Sequence, residues 1–152
     1  MIARLLLVLA LLIVPPVHAA GAPVIVVVGD SVSAGYGLAP GQVWVALLEA
    51  RLKAERFPHR VINASISGDT TAGGRTRLPA LLAAHKPAVV VIELGGNDAL
   101  RGQPLAATRA NLDAMTLAAQ SAGARVLILG MKLPPNYGPA YVREFDTLFE
   151  AV

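Results

Sequence analysis

The 152-residue chain contains no cysteine. Disulfide scaffolds, thiolate metal sites and a cysteine nucleophile are thereby excluded. Charge is also scarce. Charged residues make up 15% of the chain and aromatic residues 5%, and 13 basic against 10 acidic side chains leave a formal net charge of +3. The basic residues are scattered, with no run and no interleaved aromatics. No electrostatic stripe therefore exists to hold a nucleic-acid backbone. A hydrophobic content of 55% excludes a disordered polar chain, which has the opposite balance. At roughly 100–200 residues per domain, the length suits one domain or part of one.

Long apolar runs are also missing. The longest, Leu5 to Val14, has ten residues, whereas a bilayer span needs about 20. It follows the basic start Met1-Ile2-Ala3-Arg4, ends at Pro15-Pro16, and precedes small residues at the −3 and −1 positions of Val17-His18-Ala19. This is the layout of a secretory signal peptide. It predicts a leader over residues 1–19, a folded domain over 20–152, a periplasmic or secreted destination, and no stable membrane span after cleavage.

Past the leader, the apolar pattern alternates between two periods. Residues 24–28 are a β-branched run without polar alternation, as suits a strand buried on both faces, and residues 61–64, 89–92 and 126–129 are read as further short strands. Residues 43–55, 75–85, 105–122 and 139–152 carry apolar side chains at helical spacing, with Gly123 as a stop signal for the third. The order βαβαβαβα predicts a parallel sheet with helices on its faces.

Ligand sites in such sheets lie beyond the carboxyl ends of the strands. The segments that follow the strands are rich in glycine and small polar residues. They are Gly29-Asp30-Ser31-Val32-Ser33-Ala34-Gly35-Tyr36-Gly37, Ser65-Ile66-Ser67-Gly68-Asp69-Thr70-Thr71, Gly95-Gly96-Asn97-Asp98, and Gly130 followed by Pro134-Pro135-Asn136-Tyr137-Gly138. No lysine stands in the first loop, so it is not a phosphate-binding P-loop, and Gly35-Tyr36-Gly37 leads to Pro40 rather than completing a dinucleotide fingerprint. No His or carboxylate cluster has metal-ligand spacing. No cofactor is expected.

Acyl transfer fits these loops better. A serine placed directly after a strand presents its hydroxyl above the sheet edge, where Oγ can attack a carbonyl. The developing oxyanion needs donors aimed at one point. The Ser31 amide, the Gly68 amide and the Asn97 side chain are candidates, and glycine at 68 allows the backbone to approach a substrate closely.

Gly29-Asp30-Ser31, Gly68 and Gly96-Asn97-Asp98 resemble blocks I, II and III of the GDSL, or SGNH, hydrolases. The longer strings, including Asn63-Ala64-Ser65-Ile66-Ser67-Gly68-Asp69-Thr70, Glu93-Leu94-Gly95-Gly96-Asn97-Asp98 and Leu133-Pro134-Pro135-Asn136-Tyr137-Gly138, are similar to the bacterial periplasmic thioesterase I/lysophospholipase/arylesterase branch. The likeness runs from about Val24 to the last residue. It implies a flavodoxin-like three-layer α/β/α fold, Ser31 as nucleophile, Gly68 and Asn97 in the oxyanion hole, and no metal. It also implies a small acyl ester, thioester or lysophospholipid substrate.

The family's Asp-x-x-His block does not occur in these 152 residues. The histidines are His18, in the leader, and His59 and His85, which precede the second and third strands. That places both at the amino end of the sheet, away from Ser31. The helical pattern at Tyr141, Phe145, Leu148, Phe149 and Val152 runs to the last residue without a stop, and the fourth strand is expected to be a bare apolar edge. The expectation is a C-terminally truncated domain, lacking a last strand and helix. A non-catalytic acyl-binding module or decayed hydrolase is the alternative, and a flavodoxin-like nucleotide binder is a third, weaker one. Asp30 and Asp98 are expected to bond loop amides, and Asp69 to do the same or line the cleft. Arg75 and Arg101 are expected on solvated surfaces, and Trp44 and Tyr36 in the core or cleft wall. Ser33 and Ser67 are rival hydroxyls.

Overall fold

The computed structural model describes residues 21–152, so the leader expected over 1–19 lies outside the described residues. The strands are β1 (Val24–Gly29), β2 (Arg60–Asn63), β3 (Val89–Glu93) and β4 (Arg125–Ile128). They form one parallel sheet in the order β2-β1-β3-β4. The helices are α1 (Ser31–Ala34), α2 (Trp44–Ala54), α3 (Thr71–His85), α4 (Gly96–Leu100), α5 (Leu105–Ser121) and α6 (Pro139–Leu148). This is the expected α/β architecture.

Every residue of β1 is buried because the strand is central and covered on both faces. Successive side chains alternate between the faces. Val24, Val26 and Val28 join Val90 and Ile92 against Leu78 and Leu82 of α3, Leu112 and Met115 of α5, and Phe145 of α6. Ile25 and Val27 join Val61 and Val91 against Val45 of α2, with Trp44, Leu48 and Leu52 packed beside them. Burying each large aliphatic or aromatic side chain is worth about 1.5–3 kcal/mol. The two apolar faces of the sheet thus order the layers.

β4 is an edge. Among the described residues it pairs with β3 alone, and Leu127 is 52% exposed. α6 packs on the α3/α5 side of the sheet, where Phe145 is fully buried and meets Phe149 edge to face.

The element boundaries differ from the periodicity reading in several places. α3 starts at Thr71 rather than at residue 75, because Thr70 caps it by accepting from the Gly73 amide at 3.3 Å. Gly73 and Gly74 look like a loop in sequence. Yet a Cβ at Gly74 would stand 2.3 Å from Leu94 Cδ1 and 3.2 Å from Met115 Sδ, so glycine there lets the first turn lie against β3 and α5. α6 ends at Leu148 and is followed by a 3-10 turn, Phe149–Ala151. The one-turn helices α1 and α4 are too short to show a period.

Candidate active site

The parallel sheet brings the carboxyl ends of β1 and β3 side by side, with Gly29 in register with Glu93. Ser31 is the first residue of α1, two residues past the end of β1. Asp30 caps that helix, accepting from the Val32 amide on Oδ1 at 3.0 Å. Its other oxygen, Oδ2, accepts from Asn97 Nδ2 at 2.9 Å. A single buried carboxylate therefore pins the serine turn to α4. A primary amide has two N–H donors. One Asn97 proton is committed to Asp30, and the second remains for a ligand.

α4 owes its position to the preceding turn. Gly95 has φ +121°, a conformation that L side chains rarely adopt. Asp98 is 1% exposed and takes two hydrogen bonds from Thr71, the first residue of α3: the backbone amide to Oδ2 at 2.9 Å and the hydroxyl to Oδ1 at 2.5 Å. Asn111 of α5 donates to the same hydroxyl at 3.1 Å, and Arg75 donates to Asn111 at 3.2 Å. Asp98 thus fixes the start of α3 against α4.

Gly68 lies in the turn before α3 with φ +79°, where any side chain would be strained. Arg101, at the C-terminal cap of α4, donates to its carbonyl at 2.9 Å. Arg101 is exposed, as expected, and also ties α4 to this turn. Neither the Ser31 nor the Gly68 amide donates to a backbone carbonyl among the described residues, so both N–H groups remain as donors.

Ser31 and Asn97 line one cavity of about 270 Å³, together with Asp30, Gly96, Val32, Leu100, Met131, Lys132, Leu133 and Pro134. The geometry brings the Ser31 hydroxyl and the Asn97 side-chain amide to a common, largely apolar space. Gly68 is tied to α4 from outside that lining.

Other sequence expectations sort as follows. Ser33 is fully buried and donates to Glu93 at 2.6 Å, which removes it as a rival nucleophile. Trp44 belongs to the core, whereas Tyr36, expected in the core or cleft wall, is 82% exposed. Asp69 accepts from the Thr70 amide at 2.9 Å and pairs with Arg77. His59 immediately precedes β2, and His85 is the last residue of α3, which leads into β3. Both lie at the opposite end of the sheet from Ser31. Among the described residues no group of three or more His, Asp or Glu is placed to hold a metal ion.

Sequence reading missed Arg77. Its Nε donates to Asp69 Oδ2 at 2.8 Å, its Nη1 to the Ala64 carbonyl, and its Nη2 to the Gly29 carbonyl at 3.3 Å. One guanidinium therefore clamps the end of β1, the segment after β2 and the turn that carries Gly68. Its fork geometry makes this possible, and an ammonium cannot reproduce it. Arg77→Ala is expected to lower unfolding free energy by about 3 kcal/mol, from charge-assisted bonds worth roughly 1.5–3 kcal/mol each and not fully additive. Arg77→Lys is expected to recover less than half of this. Urea midpoints at constant slope measure it; a wild-type midpoint for Arg77→Ala refutes the clamp.

Comparison with known proteins gives the chain's relatives. The sequence profile of the GDSL-like Lipase/Acylhydrolase family matches residues 27–152. The chain is 58% identical over 133 residues to Esterase TesA of Pseudomonas aeruginosa, covering 88% of this chain and 66% of that protein. It is 41% identical over 132 residues to Thioesterase 1/protease 1/lysophospholipase L1 of Escherichia coli K12, covering 87% of this chain and 62% of that protein. The chain thus spans slightly less than two thirds of either relative. The crystal structure of TesA superposes with a TM-score of 0.83 at 58% identity, covering 84% of this chain and 71% of that one.

Proposed function

The chain belongs to the GDSL-like lipase/acylhydrolase family, and from that membership we propose that it carries the nucleophile and oxyanion half of a serine site for acyl esters and thioesters. Ser31 Oγ attacks the acyl carbonyl carbon. The carbonyl oxygen becomes an oxyanion and takes hydrogen bonds from the Ser31 amide, the Gly68 amide and the free amide proton of Asn97. Collapse expels the alcohol or thiol with a proton and leaves acyl-Ser31, which water hydrolyses.

The supporting observation is the Asp30 bridge, which holds Ser31 and Asn97 on one cavity. Its apolar residues, Val32, Leu100, Met131, Leu133 and Pro134, suit an acyl chain. The thioesterase and lysophospholipase named among the relatives extend the substrate class to thioesters and lysophospholipids. A leader over residues 1–19 would direct the protein to the periplasm or outside the cell. No helix among the described residues is long and apolar enough to cross a membrane.

An alkyl fluorophosphonate tests the nucleophile. Ser31 Oγ forms a bond to phosphorus, fluoride leaves, and the serine proton passes to solvent. Prolonged incubation in excess reagent is expected to give one adduct per chain, which peptide mass spectrometry places on Ser31. Ser31→Ala is expected to give none. An adduct elsewhere, or equal labelling of Ser31→Ala, refutes the assignment. The position of His59 and His85 at the far end of the sheet favours a second reading, an acyl-binding module without turnover. That reading predicts saturable acyl binding that survives Ser31→Ala.

A further inference from the structure

Glu93 is a buried carboxylate that the mechanism above does not use. It is the last residue of β3, 5% exposed, and stands in register with Gly29 at the end of β1. Its Oε2 accepts from the Ser33 hydroxyl at 2.6 Å, and the Asp30 and Ser33 backbone amides favour its charged form. Those two residues flank Ser31 on either side. A third partner fixes the direction of the chain of bonds. Trp44 Nε1 donates to Ser33 Oγ at 3.0 Å. An indole N–H only donates, so Ser33 must accept there and spend its single proton on Glu93.

Gly29 is shaped for this meeting. A Cβ at that position would stand 2.7 Å from Ser33 Cβ and Oγ and 2.9 Å from Glu93 Oε2. Glycine at the strand end therefore lets the carboxylate reach under the serine turn.

The arrangement opposes ionisation. Desolvation pushes the Glu93 carboxyl above the ordinary glutamate value, and the neighbouring Asp30 charge adds to that, while the Ser33 hydrogen bond pulls the other way. Asp30 is the charged neighbour from the serine turn. Arg77 of α3 reaches the Gly29 carbonyl on the adjoining strand, Asp98 of α4 is turned to Thr71, and α2 presents the uncharged Trp44. A neutral amide or apolar residue would avoid this cost if packing were the only demand.

We propose that Glu93 is a positioning residue for the nucleophile: its carboxylate, with Ser33 and Trp44, sets the turn that presents Ser31. This rests on the reading of Ser31 as nucleophile. Ionised, Glu93 accepts from the Ser33 hydroxyl. Protonated, one oxygen becomes a donor and the acceptor set no longer matches the donors around it.

The sign of the stability effect separates positioning from structural support. With its folded value above its unfolded value, Glu93 makes the folded state bind more protons in that interval. Its contribution to stability is therefore present below the unfolded value and lost as pH rises through the folded one. Glu93→Gln removes the charge that is costly at neutral pH, so its thermal midpoint there is expected to equal or exceed wild type. Phosphonylation of Ser31 is nevertheless expected to slow about tenfold or more, since small misplacements of reacting groups are costly. Trp44 is the single tryptophan, so its emission reads this network in the intact 152-residue chain. Wild-type emission is expected to titrate above the ordinary glutamate range, and Glu93→Gln emission to stay flat there.

Wild-type labelling of Glu93→Gln alongside unlabelled Ser31→Ala overturns the proposal and leaves the nucleophile standing. Equal labelling of Ser31→Ala and wild type overturns the nucleophile instead, and the Trp44 titration then judges the network by itself. An unchanged titration in Glu93→Gln refutes the coupling. Should Glu93→Gln fail to fold, Trp44→Phe keeps an aromatic ring in the core and removes only the indole donor. It is expected to slow labelling in the same direction, and a wild-type rate overturns the proposal.

Discussion

Hydrolysis of a p-nitrophenyl ester by the 152-residue chain is expected to be slow, and to change little in Ser31→Ala. Ser31 has its turn and its cap, but no imidazole stands within reach among the described residues. His59 precedes β2 and His85 closes α3, whereas Ser31 follows the carboxyl end of β1. A strand of β1's length separates the two ends by about 20 Å, and a general base must lie within about 3 Å of the proton it takes. When a serine triad is incomplete, roughly 10³–10⁴-fold catalysis over water survives from the oxyanion hole and binding. The residual rate is expected in that range and is expected to be unchanged in His59→Ala and His85→Ala. Burst and steady-state kinetics check it. Turnover at the roughly 1–10³ s⁻¹ of ordinary enzymes, abolished by either histidine substitution, would sink this account.

The second large effect is on stability. Asp98→Ala is expected to lower unfolding free energy by about 3–5 kcal/mol, the range for breaking a buried, charged hydrogen-bond network. The substitution strands the Thr71 amide and hydroxyl, two donors that Asp98 alone satisfies, at a residue that is itself fully buried. It also leaves a cavity between α4 and the start of α3. Asp98→Asn keeps one acceptor oxygen and is expected to cost about half as much. Urea denaturation followed by circular dichroism reads both. A loss under about 1 kcal/mol for Asp98→Ala, within the range of ordinary surface changes, contradicts the assignment. The same variants are expected to slow Ser31 labelling, because Asp98 neighbours Asn97 and holds the α3 start that follows Gly68.

Strands were legible because their side chains repeat a local physical requirement. Runs such as Val24 to Val28 suit a strand covered on both faces, and β1 is buried throughout. α2 and α5 were legible within one or two residues for the analogous reason. α3 was legible only from its second turn onward. Gly73 and Gly74 have low helix propensity, but the Thr70 cap and the Asp98 acceptor lie outside any periodic pattern. α1 and α4 are single turns held by Asp30 and by the Gly95 conformation. Tyr36 was misplaced because an aromatic between two glycines carries no signal of which way its loop faces, and it points to solvent.

By itself, the sequence determined the alternation of strands and helices, the end of the sheet where a site is expected, and the serine, glycine and asparagine proposed for it. Each of these follows from local pattern: apolar period, strand-to-loop junctions and short motifs. The tertiary structure decided which polar side chains hold that site together. In sequence, Arg77, Arg101 and Glu93 carry no sign of a partner, and Asp98 is expected only to bond nearby loop amides. They become clamps only when parallel pairing and helix packing bring them to partners 8, 33, 27 and 60 residues away. A buried hydrogen bond depends on the position of both of its ends, and only the folded chain sets the two at once.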